Sequence, residues 1–132
     1  MEDYQIKDFE NTINLEIAKI RGDVELIKTK HGMQYGSYPD YFRDRKLFLE
    51  IEKEFGISTM HIWTYHNQYG KDDEIYIARV GDIESKEYGY SHDMAFWMMY
   101  LELIRPKIDY RAIHLEQKRK EKIEEYENKF GV

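Results

Sequence analysis

The segment Met94–Ile104, MAFWMMYLELI, carries a single charge, Glu102, inside a chain of which 35% is Asp, Glu, Lys or Arg. Ser91 precedes it as a candidate N-cap, Asp93 suits the positive end of a helix dipole, and Pro106 stops further helical winding. On a helix, Met94, Trp97, Leu101 and Ile104 form one stripe, while Phe96, Met99, Tyr100 and Leu103 fall largely outside it. Burying each such side chain is worth about 1.5–3 kcal/mol, and several left together in water make an adhesive patch. A helix apolar on so much of its circumference needs cover on two sides. It is too short to cross hydrocarbon, which takes about 20 residues, so no membrane partner is expected. A sheet can cover one side. The other falls to the long N- or C-terminal helix of the same chain, or to a second copy. In the second case Phe96, Met99, Tyr100 and Leu103 are the self-association face of a two-fold homodimer.

The surrounding chain predicts the layers. Ile6, Phe9, Ile13, Ile17, Ile20, Val24 and Ile27 step by three and four, which predicts a helix running to about residue 30. Gly22 interrupts it at a cost of about 1 kcal/mol; the alternative ends the helix near Arg21. HGMQYGSYPDY (31–41) has turn chemistry. A second helix follows, with Pro39 in its entry turn, Phe42, Leu47, Ile51 and Phe55 as its stripe, and Gly56 as its stop. ISTMHIWTYH (57–66) and EIYIARV (74–80) are rich in β-branched and aromatic residues and read as an antiparallel hairpin. Neither strand has a clean polar face, so at least partial cover of both sheet faces is expected. Residues 109–130 form a last helix with a sparse stripe of Ile113, Ile123, Tyr126 and Phe130, helped by the pairs Glu116–Lys120 and Lys120–Glu124. The expectation is one domain, 1–132, of α+β class: a short antiparallel β-hairpin sheet packed between helices, with long N- and C-terminal helices.

The chemistry that the residues exclude is clearer than the chemistry they suggest. Net charge is −6, and residues 67–105 are acid-rich, whereas nucleic-acid binding needs clustered Lys and Arg to neutralise phosphates. The basic cluster near the C-terminus is interleaved with glutamates, so no direct nucleic-acid contact is expected. Cysteine is absent, which removes disulfides and thiolate chemistry. MEDYQIKDFENT has no basic stretch leading into an apolar run, so no secretory leader is read and a cytoplasmic location is expected. No phosphate-binding glycine loop, nucleophile elbow or zinc signature occurs, and no catalytic residue, metal or cofactor is assigned. GKDDE (70–74) is a solvated acidic tip, and RGD (21–23) inside a helix is coincidental. Strict alternation places His61, Trp63 and Tyr65 on one strand face, a candidate pocket for a small enzyme or ligand-binding protein.

One surface does suggest a partner. Asp72, Asp73, Glu74, Asp82, Glu84 and Glu87 are interleaved with Tyr69, Tyr76, Tyr88 and Tyr90, which makes an acidic, tyrosine-rich face suited to a basic protein surface. YPDYFRDRKLFLEIEKEFG, IARV and SHDMAFWMMYLELI together resemble the small αβα-sandwich accessory proteins of bacteriophages in their tyrosine-rich helix entry, hairpin and apolar closing helix. The resemblance covers about half the chain and rests on pattern; the long flanking helices depart from it. It implies an accessory protein of a phage or mobile element that binds and inhibits a host protein in the host cytoplasm, as anti-CRISPR proteins do. The leading expectation is therefore a non-enzymatic interaction module whose partner is a host protein with a basic surface. A small enzyme or ligand-binding protein, and a self-assembling structural protein, are the alternatives.

Overall fold

In the computed structural model, residues 2–66, 70, 72–106 and 110–131 are described. Helix α1 (Asp3–Arg21) stops at Gly22, whose φ of 75° is left-handed and whose N–H donates to the Ala18 carbonyl. Glycine enters this conformation without the Cβ penalty that other residues meet, so the chain turns away there. The expected continuation to residue 30 is replaced by a small hairpin, β1 (Leu26–Thr29) with β2 (Gly32–Tyr35). Val24 and Ile27 had kept a helical spacing, but Val24 lies in a bend after the turn and Ile27 in β1.

A 3-10 turn at Tyr41–Arg43 leads into α2 (Arg45–Phe55). The helix starts later than Pro39 suggests, because the carboxylate of Asp44 accepts from the Leu47 N–H at 3.0 Å and sets the N-cap. Gly56 closes it at φ 67°. Then β3 (Ser58–His66), β4 (Asp72–Val80) and the two-residue β5 (Ile83–Glu84) form an antiparallel sheet in that order. Helix α3 (His92–Ile104) begins where Ser91 Oγ accepts from the Met94 N–H at 3.0 Å, and α4 (Tyr110–Phe130) follows. The α+β class and the long terminal helices are as expected.

Helix α3 is the centre of the core, with Met94, Ala95, Phe96, Trp97, Met99, Tyr100 and Leu101 all buried. Ile13, Ile17 and Ala18 of α1 belong to the same cluster. The Trp97 ring lies 5.9 Å from Tyr41 and 6.2 Å from Phe42, Phe96 lies 4.0 Å from Phe48, and Tyr100 lies 5.8 Å from Phe55. The second cover is thus α1 together with α2 and its entry turn. The C-terminal helix takes no part, since every described side chain of α4 is exposed. Phe96, Met99 and Tyr100 are consequently not a self-association face: they are 1%, 1% and 4% exposed, because Phe48 and Phe55 occupy the space a second copy would need. Leu103 is half-buried against the same core.

Two local devices lock the layers together. Asn14 of α1 is buried; its Nδ2 donates to Asp40 at 3.0 Å and its Oδ1 accepts from the Tyr41 N–H at 3.1 Å. Gly89 exchanges both backbone hydrogen bonds with Tyr76, at 2.8 and 3.0 Å, and lies against the first turn of α3. A Cβ on Gly89 would stand 2.5 Å from the Ala95 nitrogen and 2.9 Å from its Cα, both backbone atoms that cannot swing aside. Gly89→Ala is therefore expected to push α3 off the sheet and destabilise the fold by about 1–3 kcal/mol in urea unfolding. An unchanged midpoint would mean the two backbones are not in contact. Asn14→Leu leaves the Tyr41 N–H without its acceptor and should cost a similar ~1–3 kcal/mol.

Candidate functional site

The hairpin β3–β4 carries a β-bulge that decides which side chains share a face. His61 pairs with Tyr76, but Trp63 pairs with Ile75, so two steps along β3 match one along β4. The extra residue reverses the alternation beyond it. His61 thus lies on the α3 side with Thr59, whereas Trp63 and Tyr65 pass to the opposite face. The candidate pocket of His61, Trp63 and Tyr65 is corrected accordingly. Trp63 and Tyr65 stay together, with rings edge-to-face at 6.3 Å, and His61 leaves them.

On the α3 side the polar groups pair among themselves. His61 Nε2 is 3.2 Å from the Thr64 hydroxyl and contacts the Glu74 carboxylate, which also accepts from Thr64 at 2.9 Å. The His61 ring meets Tyr76 edge-on at 5.3 Å. His66 Nδ1 lies 2.8 Å from Asp72, and His92 Nδ1 lies 2.7 Å from the Thr59 hydroxyl.

The opposite face is apolar and open. Ile77 is buried in it, but Met60, Trp63 and Tyr65 remain 47%, 63% and 50% exposed, so cover of this face is partial. Both long strands contribute, because pairing puts Met60 opposite Ile77, Trp63 opposite Ile75 and Tyr65 opposite Asp73. Tyr88 and Tyr90 flank Gly89 and reach the same side. With Ile62, Asp73 and Ile75 they border a shallow cavity of about 320 Å³ under Trp63 and Tyr65.

The acidic, tyrosine-rich set therefore divides. Asp73, Tyr88 and Tyr90 join the open face. Asp72, Glu74 and Tyr76 lie on the other face, paired as above. Glu84 ion-pairs with Arg79, whose Nε donates to it at 3.1 Å. Asp82 is exposed in the β4–β5 turn, Glu87 is exposed in the loop before α3, and Tyr69 lies outside the described residues. Tyr90 is half-buried, 6.3 Å from Phe9. Alternation along β4 explains the division, since neighbouring acids in sequence point to opposite sides of a strand.

A polar cluster that the sequence did not suggest joins α1, the 3-10 turn and α3. Arg21 Nη1 donates to the Tyr100 hydroxyl at 2.6 Å and Nε to Asp23 at 3.2 Å, and the Tyr41 hydroxyl donates to Asp23 at 2.6 Å. The Tyr41 hydrogen bond, then Arg21, hold the Asp23 carboxyl below its usual value against partial desolvation. Burial, then Asp23, raise the Tyr41 phenol far above its usual value. The phenol proton is therefore fixed where it is, and the cluster works as a clamp rather than a proton shuttle. Asp40, beside Asn14, also titrates low: desolvation opposes this, but the Asn14 hydrogen bond and Lys7 outweigh it. Among the described residues no group of three His, Asp or Glu is placed to hold a metal ion, and no helix is long and apolar enough to cross a membrane. No protein family model, curated protein or solved structure matches the chain.

Two outcomes follow. Asp23 and Asp40 have lower pKa values folded than unfolded, so their contribution is complete above the unfolded value of 3.8 and is lost as pH falls through the folded values. Urea midpoints taken from neutral to strongly acidic pH should fall below about pH 4, and less steeply in Asp23→Asn; parallel curves would remove the clamp's role. The two tryptophans should also separate by accessibility. Iodide quenches the emission left in Trp97→Phe, which comes from Trp63, and spares that left in Trp63→Phe, whose Trp97 is 1% exposed.

Proposed function

We propose that this protein is a non-enzymatic interaction module that binds a basic protein through the open face of its three-stranded sheet. The observation that carries the reading is the grouping of exposed Trp63, Tyr65 and Tyr88 with half-buried Asp73 around one cavity, with exposed Met60 farther along the same face. Aromatic side chains left in water forgo roughly 1.5–3 kcal/mol each, which a partner surface recovers. Tryptophan and tyrosine are the residues most enriched at interface centres, because each pairs a large apolar body with a polar tip. A guanidinium or ammonium stacked on Trp63 would sit within reach of Asp73, and cation–π attraction adds about 0.5–2 kcal/mol as the site desolvates. The chain's net charge of −6 steers a cationic partner toward it.

The phage-like pattern of the helix entry, hairpin and closing helix supports a host protein as that partner. A host protein that binds nucleic acid offers the required basic surface, and occupation of that surface by this chain would exclude phosphate. Inhibition then needs no catalytic group.

The test uses immobilised protein and host extract. Wild-type chain should retain a basic protein at low salt and release it by about 0.5 M salt, where the Debye length falls below about 5 Å. Trp63→Ala combined with Tyr65→Ala removes only exposed rings and should lower affinity for that protein at least ~10-fold. Retention that neither salt nor the double substitution reduces would overturn the reading.

A further inference from the structure

We propose that α4 is a dimerisation helix that pairs in parallel with α4 of a second copy of this chain. Along α4, Ala112, Leu115, Arg119, Ile123, Tyr126 and Phe130 step by three, four, four, three and four. That is an eleven-residue repeat, which keeps its stripe on one side of a nearly straight helix. Leu115, Ile123, Tyr126 and Phe130 are 58%, 47%, 60% and 60% exposed, and Tyr126 and Phe130 stack at 4.7 Å on a helix with no buried described side chain. Helices in proteins owe most of their stability to packing of an apolar face, and these four side chains are exposed.

The charges beside the stripe identify the occupant and its direction. Winding at 100° per residue places Arg111, Lys118, Lys122 and Lys129 along one edge. Glu116 and Glu127, with Lys120 between them, lie along the other, and Glu124 and Glu125 lie farther round on the two outer flanks. A two-fold axis parallel to the helices sets the basic edge of each copy against the acidic edge of its mate on both sides of the seam. An axis across the helices sets like edges together. In the parallel arrangement Lys122 meets Glu127 of the second copy, the edge pairing that fixes orientation in coiled coils. Arg119 interrupts the stripe, but its Nη2 reaches Glu116 at 3.4 Å. Its stem can therefore cover the seam while its charge leaves it.

The chain contains no cysteine, so Ala112→Cys supplies a single thiol pair. Parallel pairing brings the two thiols together; antiparallel pairing holds them about 27 Å apart, from 18 residues at about 1.5 Å rise. Sedimentation equilibrium of the full chain should show a dimer, and mild oxidation of Ala112→Cys should cross-link it. Lys122→Glu should weaken the dimer about 10-fold, and adding Glu127→Lys should restore it. The proposal is overturned by a monomer at every concentration, by a dimer that fails to cross-link at position 112, or by a charge swap that does not restore association. The dimer that fails to cross-link would point to antiparallel helices or to pairing through the sheet face.

Discussion

The enclosure of Trp97 is the constraint on which the rest of the architecture depends. Its ring is 1% exposed and lies within 6.3 Å of the rings of Tyr41, Phe42, Phe48, Phe96 and Tyr100. Those rings come from three separate stretches of chain, so burying one side chain aligns the entry turn, α2 and α3 together. A buried tryptophan accounts for about 3–5 kcal/mol, against a total stability of about 5–15 kcal/mol for a domain. The same enclosure has a cost elsewhere. α1 and α2 are both applied to α3, the far side of the sheet keeps exposed rings, and the described side chains of α4 lie in solvent. The two apolar surfaces left outside are thus consequences of how the core is built.

Much of this was legible where one residue type decides the local outcome. Ser91 and Pro106 bounded α3, Gly56 ended α2, and β-branched and aromatic runs marked β3 and β4. The failures share a different cause. At Gly22 the apolar spacing continued past the end of the helix, because Val24 still packs on the core from the bend that follows. Spacing alone cannot distinguish a face continued by a helix from one continued by whatever follows a turn. The bulge between His61 and Trp63 was invisible for a related reason. Alternation assumes one residue per step, and the extra residue depends on how β4 pairs, which is a property of two strands. The Asn14–Asp40 and Asp23–Tyr41 contacts join positions 26 and 18 apart in sequence, through a loop whose path no local pattern fixes.

The reassignment of side chains changes what kind of surface the protein offers. A contiguous acidic run in sequence became two half-sets on opposite faces, and Asp72 and Glu74 of the α3 side contact His66 and His61 rather than facing a partner. What remains on the open side is mainly aromatic, with Asp73 as its charge at the cavity. Such a face discriminates less by counting charges than by shape and by the one carboxylate a cation must reach. Ion pairs on exposed surfaces contribute only about 0–1 kcal/mol each, so in the proposed complex the rings would carry the affinity and the net charge the approach.

The two free surfaces differ in the partner each can satisfy. The α4 stripe is narrow, about one side chain wide, and is bordered by edges of opposite sign; another copy of itself complements it. The sheet face is broad and carries both Asp73, at the aromatic cavity, and Arg79, which pairs with Glu84. Two copies joined through an α4 stalk, as proposed, would carry two sheet faces, so that a partner with two basic sites could be held twice. Linked binding of that kind raises apparent affinity by 10²–10⁴ without any new contact, provided the stalk lets both faces reach. A chain of this size with one modest aromatic patch would gain more from duplication than from enlarging the patch, because exposed aromatic area in the free protein also promotes aggregation.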